Sequence, residues 1–249
     1  MSIKNYNLNF ISDINIFNHV KETVEKYRFK IDLKKFNKNL IDPIKLTFDS
    51  KIYKKTVLDV IESEIIRQID KSNTNHIGYF HQNIFKYFWN WWKVPEHWFD
   101  IVNESKNIYV EMKNKHNTMN SSSSQKTYIT MQDKIIKSPW SKCYLVEIIA
   151  TNSQNIPWRV SVDWNSMVNE NIRRISIDKF YEIVTWDASA FKKLCEKLPL
   201  VLDDVIASLT FDPIEDTVIH ELKTISPNIL KSIYLLSFSK YEWFKDFNI

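Results

Sequence analysis

Apolar residues change their period several times along this chain, and each change predicts an element. In "TVLDVIESEIIRQIDK", Leu58, Ile61, Ile65 and Ile69 recur at helical spacing, so the segment reads as an amphipathic helix. "SNTNHIGY" interrupts that pattern, and "HQNIFKYFWNWW" resumes it as far as Pro95. From Trp98 to Asn114 the period falls to two: Ile108, Val110 and Met112 share one face, and Tyr109, Glu111 and Lys113 share the other. The turn-like "NESKN" between two apolar stretches predicts a hairpin. In "SSSSQKTYITMQDKIIK", Tyr128, Met131 and Ile135 mark a helix beginning near the serines. "CYLVEIIA" has the length and apolarity of a central strand, and "IPWRVSVDWN" alternates again. "DASAFKKLCEKLPLVLDDVIAS" is helical, with Asp187 as its cap and Pro199 as a break. Residues 1–55, rich in Lys and Asn with intermittent apolar positions, read as a helical N-terminal extension. The order helix, strands, helix, strand, strand, helices predicts an α/β core with a mixed sheet flanked by helices. No linker or repeat divides residues 56–249, which are expected to form one compact unit.

Composition narrows the chemistry. The 249 residues contain a single glycine, Gly78, so no G-x-G-x-x-G turn or GxxxxGK[ST] loop is present, and the glycine-dependent cradles for dinucleotides and nucleotide phosphates are excluded. Cys143 and Cys195 stand apart, without zinc spacing, and read as reduced thiols. His76 and His81 lack partners for a zinc site and read as structural. The N-terminal "MSIKNYNLNF" has no apolar signal-peptide core, and no apolar run approaches the roughly 20 residues of a membrane span. A soluble, cytoplasmic protein is expected. The net charge of +4 is mildly basic. Its distribution is uneven: residues 106–137 hold six Lys against Glu111 and Asp133, and residues 203–221 hold six acids and no Lys or Arg. Such a molecule has a preferred side for a polyanion.

The hairpin can be tested by its register. Pairing around "NESKN" makes each cross-strand pair sum to 211, whether Glu104 pairs with Asn107 around Ser105-Lys106 or Asn103 and Ile108 close a four-residue turn. Either way Asp100 stands opposite Glu111. Carboxylates directly opposed on a sheet repel and call for a cation. A hard divalent ion such as Mg²⁺ suits them, because it takes carboxylate oxygens and keeps several waters. Lys113, on the same face as Glu111, places a positive charge where it can orient or deprotonate an attacking water and stabilise a developing oxyanion. That combination fits phosphodiester hydrolysis. A solvated strand face is the plainer reading, since Glu-x-Lys alone is commonplace. Beyond the strand, Lys115, His116, Asn117, Asn120 and Ser121 to Ser124 supply groups that bond phosphates or base edges, and they lead into a helix N-terminus suited to anions.

Asp100 followed by Glu111-Met112-Lys113 resembles the PD-(D/E)XK nuclease pattern. "HIGYFHQNIFKYFW", "FDIVNESKNIYVEMKNKHNTMNSSSSQKTY" and "RRISIDKFYEIVTW" resemble a narrower group, the type II restriction endonucleases that cut double-stranded DNA at GGNCC-type palindromes. The resemblance runs from about residue 55 to about residue 210 and implies a PD-(D/E)XK restriction-endonuclease-like core. It also implies Mg²⁺-dependent cleavage leaving 5′-phosphate ends, and a homodimer whose two-fold axis matches the palindrome. A companion DNA methyltransferase would act on the same site. Asp100 and Glu111 would hold the metal, and Lys113 would serve the attacking water. Phe99 stands where the motif has Pro, which leaves the metal ligand intact. Many members of the superfamily also use an acid from the preceding helix, for which Glu64, bordering the apolar stripe, is the candidate. GGNCC recognition requires guanine readers, and Arg159, Arg173 and Arg174 are available. Lys115, Asn117, Asn120, Ser121, Ser122 and Gln82 are candidate polar readers or phosphate contacts. The Trp-rich segment from Trp89 to Trp98 reads as core or dimer interface.

Two rivals share these residues. A repair or junction-resolving nuclease would use Asp100, Glu111 and Lys113 but cleave by DNA shape. A non-catalytic DNA-binding module would carry a vestigial core, and the presence of all three chemical groups weighs against it.

Overall fold

The computed structural model describes residues 5–39, 41–89, 92–210 and 217–238. The chain divides into two compact units, one formed by residues 1–25 and 77–210, the other by residues 26–76 and 211–249. The divisions fall after Glu25, His76 and Thr210, whereas the sequence suggested one near residue 55.

The first unit is built on a five-stranded mixed sheet. Strands β1 (Ile101–Asn103), β2 (Ile108–Lys115), β3 (Lys142–Ile149), β4 (Asn155–Val162) and β5 (Asn165–Ser176) lie in the order β1-β2-β3-β5-β4. β2, β3 and β5 run parallel, and β1 and β4 are antiparallel to their neighbours. The alternation seen in the sequence decides the two faces. Ile108, Val110 and Met112 enter a core with Tyr144, Val146 and Ile175, with α6 (Ile177–Thr185) and α7 (Ala190–Ser208), and with Ile16 and Val20 of α1 (Asp13–Lys26). On the opposite face Tyr109, Cys143, Leu145 and Ile172 are covered by Tyr128, Met131 and Ile135 of α5 (Ser121–Lys137). β3 is the central strand, as its apolar run requires. Cys143 and Cys195 are both free, and burial pushes the Cys143 thiol up to about 12.

The second unit contains α2 (Leu33–Asn37), α3 (Pro43–Ile52), most of α4 (Val57–Asn83), α8 (Val218–Ile225) and α9 (Ile229–Ser237). Its core joins Ile31, Phe36, Leu46, Ile61 and Ile65 to Val218, Leu222 and Ile233. The described residues among 1–55 therefore carry three helices, divided between the two units. The acidic stretch 203–221 lies partly outside the described residues.

Three local expectations are corrected. α4 runs unbroken through "SNTNHIGY". Asn, Ser and Thr are weak helix formers because their side chains compete for backbone groups. Here Asn73 spends that capacity on Arg28, accepting from its N–H at 2.8 Å and donating to its carbonyl at 3.1 Å, so its own helix is left intact. The α-helix then stops at Asn83, short of Pro95, and tightens into a 3₁₀ turn over Ile84–Tyr87, where Phe85 and Phe88 both meet Tyr181. α7 continues through Pro199. The proline removes the N–H that would bond Cys195, but Leu194, Val201 and Val205 are buried on either side and hold the helix on the sheet. Asp187 does support this helix, from two residues before the Ser189 cap, by accepting from Ser189 N at 2.8 Å and from Lys193 Nζ at 2.6 Å. Of the Trp-rich segment, Trp92 is buried, Trp89 and Trp98 are exposed, and Trp91 is outside the described residues.

Candidate active site

Local chemistry sets the hairpin that carries the acids. Buried Asn103 accepts from Ser105 Oγ at 2.8 Å and from Lys106 N at 3.1 Å, an Asx turn that starts the reversal. Asn107 completes it with φ 54°, a left-handed conformation that Asn tolerates, and its N–H bonds Glu104 O at 3.2 Å. Asn103 and Ile108 close this four-residue turn. The pairs Asn103↔Ile108, Val102↔Tyr109 and Ile101↔Val110 fix the register. One step further, Asp100 N donates to Val110 O at 2.9 Å, and Asp100 Oδ2 accepts from Met112 N at 2.7 Å. Asp100 is therefore beside Glu111, the arrangement read from the sequence.

The electrostatics are those of an acid pair short of positive charge. Burial and the Glu111 carboxylate push the Asp100 carboxyl up to about 6, against the opposing pull of the Met112 amide and Lys113. Lys113 Nζ donates to Glu111 Oε1 at 2.6 Å, and both side chains are partly buried. Among the described residues no group of three or more His, Cys, Asp or Glu is assembled. Two hard oxygen donors with room for water match Mg²⁺, which is commonly held by one or two carboxylates, and do not match the closed N/S cage of a structural zinc. Glu111 and Lys113 line a cleft of about 560 Å³ whose other wall is α5, through Ser123, Lys126, Thr127 and Thr130. Exposed Trp98 stands at the same cleft.

Comparison with known proteins bears on this geometry. The family model described as Eco47II restriction endonuclease matches residues 8–207. The chain belongs to that family. The type II restriction enzyme Sau96I of Staphylococcus aureus is 33% identical over 211 residues, covering 80% of this chain and 81% of that enzyme. The type II restriction enzyme Eco47II of Escherichia coli is 30% identical over 213 residues, covering 80% of this chain and 88% of that enzyme. No solved structure matches the chain.

For a restriction endonuclease family member the residues around the pair acquire definite places. Arg159 and Ser121 line a second groove of about 560 Å³, with Ser124, Gln125, Trp158 and Trp164, and this groove adjoins the first at Met119. Lys115 is exposed at the end of β2, Asn117 on the turn leading to α5, and Ser122 in the first turn of the helix. Asn120 is the α5 N-cap, with Oδ1 accepting from Ser123 N at 2.8 Å, so its side chain serves the helix. Gln82 is half-buried near the end of α4, on a different element from either groove. Arg173 is engaged at the base of the β4–β5 hairpin, its Nε donating to Asn155 Oδ1 at 2.6 Å. Glu64 belongs to the other unit. Burial raises its carboxyl, but hydrogen bonds from Arg67 (Nε, 2.6 Å) and Gln68 (Nε2, 3.0 Å) leave it lowered overall.

Sequence reasoning did not single out Glu147. On β3 it is the register partner of Lys113 and is 1% exposed. Arg174, on β5, donates to its Oε1 through Nε at 2.9 Å and also through its terminal nitrogen. His116 Nδ1 lies 3.1 Å from Glu147 Oε2 and 2.7 Å from the Arg174 guanidinium. Arg174, expected as a guanine reader, pairs with this buried carboxylate and also lines the second groove beside Arg159. The only clue in the sequence was an acid inside an otherwise apolar strand, "CYLVEIIA".

Proposed function

We propose that this protein is a type II restriction endonuclease with a PD-(D/E)XK centre, hydrolysing double-stranded DNA at a GGNCC-like palindrome and leaving 5′-phosphate ends. The observation that carries the reading is the hairpin register, which sets Asp100 beside Glu111 with Lys113 Nζ on the same face. Asp100 and Glu111 would hold Mg²⁺, which when bound supplies Lewis-acid stabilisation of charge on the scissile phosphate. The chain's own residues do the rest. The Met112 amide fixes the Asp100 carboxylate by its 2.7 Å bond. Lys113 Nζ orients the attacking water and shares its proton, and then faces the charge that develops on the phosphate. Water attacks phosphorus while its proton passes by way of Lys113 Nζ to solvent, the bond to the 3′ oxygen breaks, and that oxygen takes a proton from solvent and leaves as a hydroxyl. Lys126 and the hydroxyls of Ser123, Thr127 and Thr130 offer phosphate contacts across the cleft.

A homodimer is part of the reading, because a two-fold protein presents the same surface to each half of a palindrome. The proposal places the enzyme in the bacterial cytoplasm beside a methyltransferase that protects the same site. Among the described residues, no helix is long and apolar enough to cross a membrane.

The deciding experiment is digestion of a fully sequenced phage DNA by the purified protein with Mg²⁺, followed by sequencing of the fragment ends. Discrete ends at GGNCC sites are expected. Ends scattered along the duplex or confined to branched structures would replace this reading with that of a shape-directed nuclease.

A further inference from the structure

The β4–β5 hairpin closes on two residues, Asp163 and Trp164, between the paired Val162 and Asn165. Both have positive φ, 46° and 68°, as in the mirror-image turn where Asn-Gly or Asp-Gly is usual. Aspartate tolerates that conformation because its short side chain bonds locally, whereas a bulky side chain is strained in it. Burial would ordinarily compensate, but Trp164 is 100% exposed. The indole therefore contributes little to the fold at the one place where glycine would serve the turn better. Strain of this kind, at a site the core does not need, points to a partner outside the chain.

The surroundings identify the partner. Trp164 borders the groove lined by Ser121, Ser124, Gln125 and Arg159, which adjoins the Glu111–Lys113 cleft at Met119. Hydrogen-bond donors flanking one apolar plate are the chemistry of a DNA groove, where apolar side chains wedge between base steps and kink the duplex. An exposed two-residue tip leads with that plate. Asp163 is repelled by phosphates, which favours entry between bases over a path along the backbone.

We propose that Trp164 is a positioning residue that inserts at a base step in or beside the recognition site. It partly unstacks that step and bends the duplex, so that the scissile phosphate reaches Glu111 and Lys113. The inference rests on the reading of that cleft as the cutting centre.

The test uses the full-length protein with Ca²⁺ in place of Mg²⁺ to bind without cutting, on duplexes carrying 2-aminopurine at the central position or at flanking steps. The wild type is expected to change 2-aminopurine fluorescence at least twofold at one step and to shorten the end-to-end distance of a doubly dye-labelled duplex. Trp164→Ala should lose both signals, and Trp164→Phe should retain part of them. With Mg²⁺ restored, Trp164→Ala should slow single-turnover cleavage at saturating enzyme by tenfold or more. An abasic nucleotide at the responsive step should restore much of that rate, because a step already unstacked needs no wedge.

Equal fluorescence and bending signals from Trp164→Ala and wild type would overturn the proposal. So would conversion of the protein from dimer to monomer by Trp164→Ala in sedimentation, which would make the indole an interface residue. A wild type that cuts without either signal would defeat the insertion alone, whereas normal cutting by Lys113→Ala would defeat the underlying reading of the cleft.

Discussion

At the scale of single residues, the acid pair and the buried glutamate make opposite demands. Asp100 and Glu111 face each other beside Lys113, a pair that under the proposed reading a bound cation completes. Glu147 is completed within the protein by Arg174 and His116. The Lys113→Ala variant is accordingly expected to cut at least a hundredfold more slowly while binding its site nearly as well, since general acid–base groups contribute about 10²–10⁴ in rate. Single-turnover cleavage and a metal-free binding isotherm check both halves. Arg174→Ala behaves differently. It strands a buried carboxylate, and loss of one partner from such a pair costs about 3–5 kcal/mol. Chemical denaturation should show that loss, and adding Glu147→Leu should recover most of it. A variant of normal stability that is defective only in specific DNA binding would return Arg174 to the role of guanine reader.

At the scale of elements, α4 and the segment after it show how tertiary contacts settle weak local preferences. Gly78 lies inside α4 with ordinary helical φ, and a Cβ added there would meet the Asn114 side chain at 3.6 Å, an unstrained contact. Gly78→Ala should therefore stabilise the protein by about 0.5–1 kcal/mol, the usual gain in helix propensity, seen as a raised denaturation midpoint. Three residues on, His81 is held neutral: burial, and then the neighbouring His19, lower it to about 4. Its folded value lies below the unfolded value of about 6.5. The stability it contributes is thus fully present above about 6.5 and is lost as the pH falls through 4. At about 1.36 kcal/mol per unit, the loss amounts to about 3 kcal/mol. Melting profiles of wild type and His81→Phe between pH 7 and pH 4 should diverge by that order, with the wild type falling faster.

At the scale of the whole molecule, charge distribution bears on the proposed binding of DNA. The basic stretch from residue 106 to residue 137 contains α5, whose Lys126 lines the cleft of Glu111 and Lys113. If that helix tracks the phosphate backbone, Lys126→Ala should weaken binding by a similar factor on specific and random duplexes. It should also flatten the slope of log K against log salt by about 1 per subunit. An unchanged salt slope would place Lys126 outside the DNA path.

The sequence by itself determined the hairpin and its register, because both depend on neighbours. Asn103 and Asn107 build the turn, and a period of two then forces Asp100 to meet Glu111. It also determined the buried faces of β2 and α5 and the central place of β3, since apolar period is a local property. Only the tertiary structure decided where long-range partners fall. Glu147 and Arg174, 27 residues apart, meet because β5 lies next to β3 while β4 forms the edge. α4 stays whole because Asn73 finds Arg28, 45 residues away in sequence. α7 survives Pro199 because burial of its apolar face outweighs one lost hydrogen bond. In each case weak local terms of about 1–3 kcal/mol are outweighed by packing and charge pairing that exist only once the chain has folded.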